Sequence, residues 1–156
     1  TFFIIANAQI KDVFWGCKLG TTTKAQLISK LQSHGLKCKE VKDNDFLFID
    51  DVTYAGYVWK FCFFNFYKNR LYCVEFVNEC NKEEATRVYD IILENIVRKY
   101  PRVSRHMDID KPSEKLASFN DGNVVLSISY TFKGEGEFAR LSYMDKAIAV
   151  EIVKDR

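Results

Sequence analysis

The sequence predicts an α+β fold made of two consecutive units, each a helix followed by three antiparallel strands. Three observations lead there. Two windows of helical period each begin at a capping residue. Each window is followed by apolar or alternating runs rich in Phe, Tyr, Val and Ile, separated by short polar turns. Aromatic residues make up 15% of the 156 residues, with 13 Phe and 8 Tyr, which suits strands with large side chains to pack. The helices would be buried on antiparallel sheet, and the two units would join as one sheet or pack face to face. Residues 9–156 form a single α+β domain in this reading, divisible into half-units at 20–80 and 81–156.

Thr23 is placed to cap the first helix, with Gln26 three residues later completing a capping box. Leu27, Ile28 and Leu31 supply its apolar stripe, and Gly35 is a natural left-handed stop, so the helix runs over about residues 24–34. After a polar loop of Lys42, Asp43, Asn44 and Asp45, residues 46–49 read as a short strand ended by Asp50 and Asp51. Residues 54–67 read as one long strand with Gly56 as a bulge or a point of close approach. Lys68, Asn69 and Arg70 turn the chain, and residues 71–77 return as the partner strand.

The second helix starts at Asn81, with Glu83 and Glu84 suited to its positive end. Ala85, Val88, Tyr89, Ile92 and Ile96 keep helical spacing, joined by Ile91, Val97 and Tyr100; Arg98 and Lys99 occupy the last turn, and Pro101 stops it. Residues 102–123 are polar and read as irregular, with one helical turn at 113–117. Asn120, Asp121 and Gly122 signal a turn into a strand over 124–132. Gly134, Glu135 and Gly136 turn again. Residues 138–143 and 148–153 read as the last two strands, with Asp145 and Lys146 at the bend between them.

Net charge is +2, from 23 basic and 21 acidic residues interspersed along the chain. This lacks the basic block of a nucleic-acid binder, and no apolar run has the ~18–20 residues that span a bilayer. Phe2, Phe3, Ile4 and Ile5 followed by Ala6 and Ala8 read as the end of a signal peptide, with Gln9 as the first mature residue and a periplasmic or secreted protein as the consequence. The alternative is an edge strand over residues 2–5. No Cys directly follows Ala8, so the reading is soluble export and not lipid anchoring.

Cys17, Cys38, Cys62, Cys73 and Cys80 form no C-x-x-C pair, and their odd number leaves at least one thiol unpaired within the chain. Cys62 and Cys73, in apolar strands, read as small buried hydrophobes on one sheet face, diagonal and too far apart to bridge.

The stretch from Phe14 to Gly20, the Thr-rich cap, the short helix and Gly35-Leu36 resemble the start of small exported domains with the β-lactamase-inhibitor-protein-like fold. Residues 54–76 are similar to that group's Gly-aromatic strand, hairpin turn and third strand. The likeness covers about residues 14–100. The group includes small outer-membrane assembly lipoproteins and many uncharacterised proteins of gut-type bacteria. The resemblance implies a helix-plus-antiparallel-sheet module that binds proteins or envelope components, with no catalytic residues to carry over. The further strands after Gly122 and the missing lipid-attachment Cys depart from the lipoprotein pattern and argue against a role in β-barrel assembly.

No P-loop, dinucleotide fingerprint or nucleophile elbow occurs, and no cofactor or metal is called for. Asp43, Asn44, Asp45, Asp50 and Asp51 cluster oxygens without the glycine and closing glutamate of a calcium loop. His34 and His106 lack the spacing of a zinc pair. His106 lies among Arg105, Asp108 and Asp110, and a small hydrolase or ligand pocket built on that segment is the alternative to a non-enzymatic binding module. The sharper feature is the long strand. Alternation places Tyr57, Trp59, Phe61, Phe63 and Tyr67 on one face and Val58, Cys62, Phe64 and Phe66 on the other. With both faces apolar, both must be covered, by the chain's other half or by a partner. Tyr54, Tyr57, Trp59, Phe61, Phe63 and Tyr67 are therefore the candidate residues for binding an unknown protein or envelope component. Trp59 is read as buried, with any docking surface on the opposite face or at the loops around Gly56 and Asn69.

Overall fold

The computed structural model describes residues 9–132 and 137–156. The alternatives for residues 1–8 and the turn at residues 134–136 lie outside the described residues. A two-residue hairpin, β1 (Val13–Phe14) and β2 (Cys17–Lys18), leads into α1 (Lys24–Ser33). Four strands follow: β3 (Lys39–Glu40), β4 (Phe46–Tyr54), β5 (Tyr57–Tyr67) and β6 (Arg70–Glu79). Then come α2 (Lys82–Lys99), β7 (Ser104–Lys111), β8 (Glu114–Asn120), β9 (Val124–Thr131), β10 (Phe138–Asp145) and α3 (Lys146–Lys154).

The expected pair of helix-plus-three-strand units is not what the chain forms. It is mostly β, with one eight-stranded antiparallel sheet in the order β3-β4-β5-β6-β10-β9-β8-β7 and a separate two-stranded ribbon, β1-β2. Two segments account for the difference. Residues 102–123 form the hairpin β7-β8 where an irregular segment with a helical turn was expected. Seven of the eight residues of β7 are exposed, because it is the edge of the sheet, so it carries no apolar alternation to read. Residues 148–153 form helix and not strand. The Asp145 carboxylate accepts from the Ile148 N–H at 2.9 Å and caps α3. Ile148 and Ile152 then fall one helical turn apart.

Local signals elsewhere act as their chemistry dictates. The Thr23–Gln26 capping box closes on itself, with Gln26 N–H to Thr23 Oγ1 at 3.3 Å and Thr23 N–H to Gln26 Oε1 at 3.0 Å. Asn81 caps α2 through the Glu84 N–H at 2.9 Å, and Ala85, Val88, Tyr89, Ile92 and Ile96 are its buried stripe, while Ile91 and Val97, read as joining it, lie on the exposed side of the helix. The β5–β6 hairpin turns at Lys68 and Asn69, both with positive φ (47° and 57°), a two-residue turn whose twist matches the strands. Gly56 is not a bulge inside one long strand. Ala55 and Gly56 (φ 53° and 81°) are the turn of a second such hairpin, and β4 runs on past Asp50 to Tyr54.

The first and second halves meet where β6 pairs with β10, from Glu79 opposite Phe138 to Cys73 opposite Met144. The buried residues of α1 and α2 and the inward residues of the sheet belong to one core cluster. The ribbon β1-β2 turns at Trp15 and Gly16, also at positive φ, and drives Phe14 into that core, 4.9 Å from Tyr143 and 6.5 Å from Phe76 between ring centroids.

Simple alternation fails in the middle of β4 and β5. Ile49 and Val52 both point inward, so Asp50 and Asp51 are both spent on the way. Opposite them Trp59 and Cys62 both point inward, across Lys60 and Phe61. Asp50 pairs with Phe61 and Val52 with Trp59, while Asp51, at φ 49°, and Lys60 are left out of the register. The Asn78 side chain replaces the ladder that β6 cannot supply there. Its Oδ1 accepts from the Lys60 N–H at 2.6 Å and its Nδ2 donates to the Val58 carbonyl at 2.9 Å. Trp59 is thereby separated from Phe61 and Phe63, with which alternation had grouped it.

Trp59 is fully buried, its Nε1–H donates to the Tyr54 carbonyl at 2.9 Å, and its ring lies 5.9 Å from that of Phe76. Trp59→Ala leaves a cavity and an unmet carbonyl, and should cost ~3–5 kcal/mol in denaturant unfolding. A variant with the wild-type midpoint and slope would contradict the inward placement.

Candidate functional site

The six residues singled out for binding divide into three groups. Tyr54, Tyr57 and Trp59 belong to the inner face, Phe61 and Phe63 to the outer face, and Tyr67 to the tip of the β5–β6 hairpin. At the tip, the Tyr67 hydroxyl donates to the Asp155 carboxylate after α3. Lys68 and Arg70 reach Glu151 of α3 at 3.2 and 2.7 Å, and hold its carboxyl below the ordinary range. Tyr67 is therefore engaged in tying α3 to the sheet.

Phe61 and Phe63 are joined on the outer face by Phe46 and Phe48 of β4, which the sequence reading assigned to a strand but not to a site. Phe48 and Phe63 are cross-strand partners, 5.9 Å apart. Phe48 and Phe61 meet edge to face at 6.0 Å, Phe46 and Phe63 at 5.7 Å, and Phe61 and Phe63 lie 5.6 Å apart. Each ring is half-buried, and none belongs to the core cluster under α1 and α2. The alternation Phe46-x-Phe48 opposite Phe61-x-Phe63 was the signal that could have found the quartet.

Charges of both signs frame these rings. Lys39 pairs with Asp50, and its ammonium lies 5.9 Å from the Phe48 ring centre. Lys60 lies 5.6 Å from the Phe61 ring centre and pairs with Glu79 at 3.5 Å. Glu75, the cross-strand partner of Phe63, takes Arg140 of β10 at 3.0 Å. Next to this pair the outer face turns polar: the Cys73 thiol meets the Ser142 hydroxyl at 3.4 Å, and Ser127 and Ser118 follow at 2.7 Å from each other. The result is an apolar aromatic centre with a polar rim of paired charges.

All five cysteines are free. Cys62 and Cys73 lie on opposite faces, not on one, because the register shifts between Asn65 and Phe66 and leaves Tyr72 unpaired. Burial raises both thiols, Cys73 to about 12. His106 is exposed on β7 and, among the described residues, makes no hydrogen bond or ion pair. Arg105 and Asp108 pair with each other at 2.8 Å. Among the described residues, no hydrogen bond joins His106 to a Ser or Cys side chain. Among the described residues, no three His, Cys, Asp or Glu side chains gather as metal ligands, and no helix is long and apolar enough to cross a membrane. No family model, curated protein or solved structure matches the chain.

Tyr54 stacks on Phe76 at 4.1 Å, and its hydroxyl donates to that of Tyr143 at 2.9 Å. Burial pushes Tyr54 from 10.0 up to about 12, and burial together with Tyr54 pushes Tyr143 up as well. These are acids with raised folded-state values, so the folded chain keeps protons that the unfolded chain releases near pH ~10. Their contribution to stability is whole below that pH and is lost as pH rises from ~10 through about 12. In an ultraviolet tyrosinate titration, Tyr54 and Tyr143 should be the last of the 8 tyrosines to ionise, together with alkaline unfolding. Ionisation of all of them near pH ~10 in a still-folded chain would contradict the buried pair.

Proposed function

We propose that this chain is an exported, non-enzymatic binding module that docks a folded protein partner on the outer face of its sheet. The observation that carries the reading is the quartet Phe46, Phe48, Phe61 and Phe63, four touching rings left outside the core cluster. Single exposed apolar residues need no explanation, but a contiguous aromatic group on one sheet face marks a site of interaction. The rim points to a protein partner. Its Lys39–Asp50, Lys60–Glu79 and Glu75–Arg140 pairs each balance internally, so these rim charges make no cationic patch to draw a polyanion or an acidic membrane. Such pairs orient a partner with charges of its own, while the rings supply the affinity. The resemblance to β-lactamase-inhibitor-protein-like domains supports protein binding, and the apolar run before Ala6 and Ala8 supports export to an envelope or extracellular compartment.

The test is a paired affinity capture from an extract of the source cell's envelope. Phe48→Ser with Phe63→Ser should release a protein that the wild type retains, weakening it at least ~30-fold, as loss of central aromatic anchors does. Ile91→Ser with Val97→Ser, on the exposed side of α2, should leave capture unchanged. Equal capture by the Phe variant would overturn the reading. So would a concentration-dependent dimer of the chain that the Phe substitutions dissociate, because the occupant would then be a second copy.

A further inference from the structure

A cleft separate from the outer face opens between α2 and the inner side of the sheet. It has a volume of about 290 Å³. Its floor is apolar: Ile92 and Ile96 of α2 face Leu126 of β9 and Leu141 of β10. Its mouth is cationic, with Lys11 from the segment before β1 and Lys99 from the last turn of α2. Among the described residues no carboxylate lines it. Among the described residues neither ammonium forms an ion pair. Both rest over aromatic rings instead, Lys11 at 5.1 Å from the Phe14 centre and 5.0 Å from Tyr54, and Lys99 at 5.5 Å from Tyr100.

Tyrosine hydroxyls complete the wall. Tyr54 and Tyr143 share one hydroxyl–hydroxyl bond at 2.9 Å, which leaves one of their two protons without an acceptor among the described residues. The Tyr100 oxygen accepts from the Lys11 backbone N–H at 3.4 Å, and its proton has no acceptor among the described residues. Donors and positive charge thus collect at one end of a pocket whose other end is hydrocarbon. A few convergent polar groups over an apolar floor is the common form of a small-molecule site.

We propose that this cleft binds a small amphipathic carboxylic acid, with its hydrocarbon body on Ile92, Ile96, Leu126 and Leu141 and its carboxylate between Lys11 and Lys99. Size sets the class. At water's share of ~30 Å³ per heavy atom the cleft holds about ten non-hydrogen atoms, the size of an eight-carbon acid. Charge sets the headgroup. Lys11 and Lys99 line the cleft with no carboxylate beside them among the described residues, and partial burial, with the charge of Lys99 second, lowers the Lys11 ammonium below its ordinary 10.5. A carboxylate placed there offsets that charge and accepts from the two ammoniums and the unspent hydroxyl protons, bonds that are stronger for being charge-assisted.

Calorimetric titration of the full chain with octanoate tests this, with octanol as the uncharged probe of equal chain length. Octanoate should bind, and octanol should bind at least tenfold more weakly. Lys11→Met with Lys99→Met changes only side chains at the mouth. It should lower octanoate affinity at least tenfold, leave octanol affinity unchanged and leave the melting temperature of the free protein near wild type. As a second readout, the nitrogen-15 titration of the Lys11 ammonium should move to higher pH when octanoate is bound. Octanoate binding that survives the double substitution, octanol binding as tight as octanoate, or no binding at millimolar octanoate would each overturn the proposal.

Discussion

The double slip in β4 and β5 is the constraint on which both surfaces of the sheet depend. With strict alternation Trp59 would share a face with Phe61 and Phe63, and Tyr54 would share one with Phe46 and Phe48. Each strand instead spends one residue without a partner, Asp51 in one and Lys60 in the other. Beyond that point Val52, Tyr54, Tyr57 and Trp59 all turn toward the core. A slip of this kind costs ladder hydrogen bonds and places a non-glycine residue at positive φ, so something must hold it. Asn78 does, by bonding to the backbone of both Val58 and Lys60 from the neighbouring strand.

Two chemically different places follow from that one irregularity. On the near side of it, rings remain outside, because β4 and β5 carry phenylalanine at alternate positions on their outer face. On the far side, large aromatic residues fold under the sheet and meet Phe14, Phe76 and Tyr143. There they build one wall of the cleft beside α2, with Lys11 stacked above them. The β6–β10 seam makes the arrangement continuous. It sets Glu75 beside Ser142 in register and brings Arg140 within reach of Glu75, so the aromatic quartet passes directly into a polar strip from the second half of the chain.

What could be read from the sequence was what is decided locally. The Thr23 and Asn81 caps, the main stripe of α2 and the turn at Lys68 and Asn69 all depend on residues within a few positions of one another, and they formed as read except that Ile91 and Val97 fall outside the stripe and Arg70 already belongs to β6. Strand β7 was invisible because an edge strand wetted on both sides needs no apolar pattern. The segment after Asp145 was ambiguous, since Ile148, Val150 and Ile152 satisfy alternation while Ile148 and Ile152 satisfy a helical turn. The Asp145 cap decides between them. The site was half legible. Phe61 and Phe63 were in hand, but their companions Phe46 and Phe48 come from another strand. The face of Trp59 hangs on an asparagine in the next strand, a long-range fact that no periodicity contains. The cleft was not legible at all, because Lys11, Tyr54, Lys99 and Leu126 meet only in the folded chain.

Hydroxyl-radical footprinting of the native chain, read residue by residue by mass spectrometry, tests the two-faced sheet most directly. Indole is intrinsically more reactive to hydroxyl radical than a phenyl ring, so burial must invert the natural order for the account to hold. Phe61 and Phe63 should be oxidised at measurable rates while Trp59 stays protected until the chain unfolds. Substituting Asn78→Ala should release that protection first at Trp59. Rapid oxidation of Trp59 in the native protein, with Phe61 and Phe63 silent, would contradict the slip and with it the placement of both sites.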